Sequence, residues 1–312
     1  MATSSSTDYN RTATQIVNRA LRLMGVLAQE ETPQAAELED GLEALNVMIK
    51  GWQAEGQFLW KREDLIVWLV VGTTKYTLGS SGDHAATTWV RTTLSADAAS
   101  GASSISVASI TGISDADNLG IVLDDGTLQW TTVFGAPSGS TVTPAATLNA
   151  AASSGNQVWA YTTKAVRPLR VEIPRRRDSS VQDIPIWMVS RQEYFDTPNK
   201  TTQSRPVNVY YDPQLTSGEL HLWPAPETVD DTILLSAKMP VEDFDALTND
   251  PDFPQEWLDG LAWGLADDMA LEYEVPPDRH ARITTKAAQK LSALGLWDSE
   301  ATSVFMQPDF EA

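Results

Sequence analysis

The three histidines of this 312-residue chain, His84, His221 and His280, are the natural starting point for chemistry. None is spaced from another His or from a carboxylate as metal ligands are. No phosphate-binding glycine loop, nucleophile elbow or dinucleotide fingerprint is present. Adjacent carboxylates occur at Asp124/Asp125 and Asp267/Asp268. A glycosidase would need one carboxyl raised in pKa and a second placed across a cleft, roughly 5–9.5 Å away. The chain nominates no such pair, and these carboxylates read as solvated faces. Asp115, Asp117, Asp124 and Asp125 lack EF-hand spacing and read as turn residues rather than Ca²⁺ ligands. The 11 Trp are spread along the chain, as core and interface packing would place them, not as a stacking platform. The expectation is a protein with no catalytic residues, no cofactor and no metal.

Basic residues concentrate at Arg167, Arg170, Arg175, Arg176 and Arg177. Such a cluster is either a phosphate-binding patch or a set of ion-pair partners for an acidic neighbour, and the second reading is favoured. Formal net charge is −20, with 42 acidic against 22 basic residues, so non-specific coating of nucleic acid is disfavoured. Of that charge, −12 falls within 241–312, where 16 acidic residues face 4 basic ones. The absence of Cys removes disulfides and thiolate metal sites and suits a reducing compartment. No signal peptide and no run of membrane-spanning length are read, so no membrane partner is expected.

The elements follow from periodicity. A first helix is predicted from Thr12 or Thr14 to Ala28, with Ile16, Ala20, Leu23 and Leu27 on one face. Thr32-Pro33 opens a second helix that runs to Ala54 with Leu38, Leu42, Leu45, Ile49 and Trp52 as its seam. The apolar run 65–71 (LIVWLVV) and the stretch 75–78 read as strands. Residues 79–160 change character, being rich in Ser, Thr, Ala and Gly with one basic residue, Arg91. Their alternating runs, and Asp125-Gly126 between two of them, predict an inserted small all-β domain with adjacent ends. A hairpin is predicted across 207–223. A helix over 253–274 buries Leu258, Leu261, Ala262, Leu265 and Met269, and a last helix spans 278–294. In the first of these, Gly260, Trp263 and Gly264 mark a second face, read as a contact with another subunit. The resulting fold class is α+β, divided as 1–78, 79–160, 161–298 and a tail at 299–312.

Several stretches together resemble a known family. TATQIVNRALRLMGVL and LEDGLEALNVMIKGWQAEG, the hairpin VNVYYDPQLTSGELHLWPAP, and FPQEWLDGLAWGLADDMALEYEVP are similar to the head-to-tail adaptors of short-tailed phages, the tail accessory or packaged-DNA-stabilisation factors. The resemblance implies a multi-helix adaptor core with β-hairpins. It implies a virion neck protein, assembled in the host cytoplasm into a ring, usually of twelve copies. Its partners would be the portal protein, a tail hub or nozzle protein, and duplex DNA that passes through without specific binding. Gly260, Trp263 and Gly264 would then serve the ring, and Val304, Phe305, Met306 and Phe310 of the tail would dock on the portal. Arg175, Arg176 and Arg177 would face an acidic partner surface away from DNA. Two other readings stay open: a virion-associated peptidoglycan hydrolase, and a carbohydrate-binding tail protein whose β insert displays aromatics.

Overall fold

The computed structural model describes residues 7–54 and 59–297. The expected fold class does not hold. Among the described residues, fifteen strands in four sheets dominate over five α-helices, so the molecule is mostly β rather than a multi-helix core with hairpins attached. The physical reason lies in residues 62–240, which form one compact unit with its own apolar cores. Residues 1–61 and 241–312 make the other unit.

In the second of these, the helical unit, α1 (Ala13–Met24) buries Ala13, Ile16, Val17, Ala20, Leu21 and Met24. It stops at Gly25, whose φ of 80° lets its N–H donate back to the Arg22 and Leu21 carbonyls. The next helix, α2 (Ala35–Ala54), lies against it, with Gly41 so close to Val17 that a Cβ would sit 2.4 Å from its Cγ1. Trp257 is fully buried, with ring centroids 6.2 Å from Trp52 and 5.0 Å from Trp60.

The β unit begins with β1 (Arg62–Trp68), β2 (Lys75–Leu78) and β3 (Ala85–Ala86). An all-β module follows. It comprises β4 (Val90–Thr93), β5 (Ile105–Ser106), β6 (Asn118–Val122), β7 (Leu128–Thr132), β8 (Thr141–Val142) and β9 (Gln157–Tyr161). Its ends meet, because β4 pairs with β9 through Val90 and Ala160. The β6–β7 turn has Gly126 at φ 81°, and Asp125 accepts from the Thr127 N–H.

The chain then makes β10 (Arg170–Arg177), β11 (Asp183–Pro185), β12 (Trp187–Met188) and the short α3 (Arg191–Asp196). Three strands close the unit: β13 (Asn208–Pro213), β14 (Gly218–Trp223) and β15 (Thr232–Lys238). Two further helices, α4 (Leu258–Met269) and α5 (Pro277–Trp297), complete the helical unit. The 253–274 stretch is shorter as a helix than predicted, since α4 ends at Met269 and Glu274 turns the chain at φ 48°.

Strand order is β11-β10-β15-β1-β3 in one sheet and β12-β13-β14-β2 in a second. Leu65, Val67, Ile233 and Leu235 of the first share a core with Tyr76, Val209, Leu220 and Leu222 of the second. The opposite face of β1 is also covered. Ile66 and Trp68 pack with Leu234 and with Trp159 and Tyr161 of the module. A strand buried on both faces needs an apolar residue at every position, which explains the unbroken run from Leu65 to Leu69. The module therefore shares a core with the first sheet, and Ala85 and Ala86, inside the predicted insert, are strand residues of that sheet.

Candidate functional site

No residue cluster among those described could hold a metal ion. The carboxylate pairs have structural duties. Asp124 is held below its ordinary pKa by the Ser153 N–H, then by Asn156 and the Ser153 hydroxyl. Asp125 is held low by the Thr127 hydroxyl and N–H. Both shifts run opposite to what a general acid requires. The imidazoles are built into packing. His84 stacks on Trp130 at 3.9 Å and shares a hydrogen bond of 2.5 Å with the Tyr161 hydroxyl. Burial, and then the nearby Lys164 charge, lower its pKa to about 4. His221 lies between Tyr194 and Tyr210 on the second sheet, and burial lowers its pKa too.

Among the grooves on the surface of the helical unit, two are of unlike character. One, of about 410 Å³, is lined by Asp40 and Glu43 of α2 and by Asp268 and Glu272, with Met269 and Val47 beside them. Burial, with Asp267 adding to it, raises the pKa of Asp268. Asp267 itself accepts from the Thr284 hydroxyl and lies 3.3 Å from His280. The other groove, of about 450 Å³, is lined by Leu23, Trp263, Pro276 and Ile283 and by Arg279, Arg282 and Lys286 with Asp278. Arg279 is fixed there because its guanidinium donates to the Leu23 and Arg22 carbonyls at the C-terminus of α1, where the helix dipole favours a cation.

The residues singled out from sequence fall in different places. Gly260 and Gly264 are buried against their own chain. A Cβ at Gly260 would lie 2.5 Å from Leu294, and one at Gly264 would lie 2.5 Å from the Trp52 ring. Their role as an open face for another subunit is corrected: both let α4 approach α5 and α2. Trp263 alone of the three lines a surface groove. Val304, Phe305, Met306 and Phe310 lie outside the described residues.

The Arg cluster makes ion pairs, the reading favoured from sequence, but with carboxylates of its own chain rather than of a partner surface. Arg175, Arg176 and Arg177 stand on β10 and are paired within the chain, not held for a partner. Arg175 meets Asp64 at 2.8 Å, and Arg177 makes two bonds to Asp183 at 2.7 and 2.9 Å. Arg176 is buried 3.5 Å from Asp231, which Arg205 also approaches at 3.5 Å. Nothing in the sequence links these carboxylates to β10, since only the strand pairing brings Asp64 and Asp231 alongside. Exposed aromatics lie elsewhere: Trp187 on the edge strand β12 is 75% exposed, Phe195 52% and Phe134 of the module 71%.

No protein-family model matches the chain, and no curated protein matches it. A solved structure is similar over part of its length, the Gp54 tailspike of Acinetobacter baumannii bacteriophage AP22 in complex with A. baumannii capsular saccharide. Identity is 19%, the TM-score is 0.22, and the match covers 25% of this chain. The chain spans 15% of the tailspike's length in that match, and a likeness of this size carries no argument about function.

Proposed function

We propose that the chain is a non-catalytic structural subunit of a tailed-phage virion, and more finely a head-to-tail adaptor that assembles as a ring between portal and tail. One observation carries the reading. The stretches that resemble the adaptor family lie at opposite ends of the chain, yet α1 and α2 fold with α4 and α5 into one unit around Trp257, Leu45 and Ile16. The remaining resembling stretch is the β13–β14 hairpin. The net charge of −20 and the in-chain pairing of Arg175, Arg176 and Arg177 suit a channel through which duplex DNA slides. Lumen cations would bind phosphates and retard it.

Sedimentation of the full chain with and without portal protein tests this: rings or a portal-bound complex are expected. Duplex binding at about 50 mM salt, where an electrostatic site is strong, should be absent. A chain that stays monomeric and ignores portal protein overturns the adaptor reading.

A second reading, a carbohydrate-binding tail protein, is favoured by the exposed Trp187 indole, a surface on which a sugar ring can stack. Glycan-array binding that disappears in Trp187→Ala, with no portal binding, would establish it instead.

A further inference from the structure

The Trp263 groove is lined by apolar Leu23, Trp263 and Ile283 and by three cations against one carboxylate, Asp278, in a chain that is otherwise strongly acidic. Arg279 is committed to the α1 carbonyls, whereas Arg282 and Lys286 stand one turn apart on α5 and are exposed. No ion pair to Arg282 or Lys286 exists among the described residues; Lys286 reaches only Gln289, at 3.1 Å. Such a site fits a peptide that inserts apolar side chains against the indole and sets carboxylates against Arg282 and Lys286.

We infer that the occupant is the segment 299–312 of the same chain. It holds Val304, Phe305, Met306 and Phe310 together with Glu300, Asp309 and Glu311, and it contains no Lys or Arg. The distances permit it. From Ile283 to Trp297, α5 rises about 21 Å at 1.5 Å per residue. Fourteen extended residues span up to roughly 46 Å, enough to double back to the groove. Apolar side chains and charge are thus matched on both sides, and the reach is sufficient. The inference does not rest on the proposed virion role, and its test reads the chain alone, without portal protein.

Because the chain has no Cys, pairs of introduced cysteines report proximity cleanly. In the full-length chain at submicromolar concentration, Asp278→Cys in the groove with Ser303→Cys should oxidise to an intrachain disulfide. It should do so at least tenfold faster than the control pair Thr127→Cys with Ser303→Cys. Adding Arg282→Glu and Lys286→Glu, or raising salt, should remove most of that advantage. Circular dichroism of each variant confirms that it is folded. A rate equal to the control, a rate unaffected by charge reversal in a folded variant, or a disulfide formed only between chains would overturn the inference.

Discussion

The two units use similar residues in different ways. The β unit turns part of its cations and large aromatics inward: Arg176 is buried against Asp231, and Trp68 and Trp159 fill the joint between sheet and module, while Trp187 and Phe134 stay exposed. The helical unit leaves Arg282 and Lys286 on its surface beside a part-exposed Trp263. The lesson concerns charge clusters. Three consecutive arginines look like a recognition site, yet on a strand their neighbours are whatever the sheet pairing supplies, and here that is Asp64, Asp183 and Asp231. Arg282 and Lys286, a helical turn apart on α5, are by contrast left facing solvent.

The largest expected effect lies at the joint. Trp159→Ala removes an indole that is 2% exposed and should cost about 3–5 kcal/mol, read as a shift of the denaturant midpoint of the full chain. A loss below about 1 kcal/mol would mean that module and sheet do not share a core. Next comes the buried pair. Arg176→Met leaves Asp231 with only the half-exposed Arg205 and should cost about 3 kcal/mol. Adding Asp231→Leu should restore most of that stability; if it does not, the pair is not what holds that end of β10.

Within the helical unit the two glycines should differ. Gly264→Ala drives a methyl into the rigid Trp52 ring and should destabilise by about 1–3 kcal/mol despite the better helix propensity of Ala. Gly260→Ala meets only the end of the Leu294 side chain and should be close to neutral. Equal costs in thermal melts would show that the helices do not approach as described. A further effect concerns pH. Burial depresses the His84 pKa from an ordinary 6.5 to about 4, so the unfolded chain binds the proton first. Stability should therefore be full above pH 6.5 and decline as pH falls from 6.5 toward 4. His84→Gln should flatten the melting temperature across that window, and an unchanged slope would assign the decline to other groups.

Much of the local structure is legible in the sequence. The period of Ile16, Ala20 and Leu23 locates α1, and Asp125-Gly126 locates the β6–β7 turn, because both signals are carried by neighbours in sequence. The fold class is not legible in the same way, because short strands such as Ala85–Ala86 and Thr141–Val142 are too brief to show alternation and exist only through their partners. The glycines misled for a related reason. A paired Gly on a helix announces close approach, but not to what, and Trp52 lies about 210 residues away in sequence. The groove at Trp263 is half legible: the indole stands out, while its cationic lining depends on α5 lying alongside α4.

The helical unit draws its halves from the two ends of the chain, and this has a consequence for biosynthesis. A ribosome delivers α1 and α2 early, with Ile16, Leu21, Leu45 and Ile49 poised to be buried. The helices that bury them start only at Leu258, after the whole β unit has been made. At about 5–20 residues per second that interval lasts roughly 10–40 s. During it the β unit can complete its sheets, since every strand they need has emerged. The nascent N-terminal hairpin must meanwhile keep an apolar face from aggregating, which makes it the segment for which a chaperone would compete.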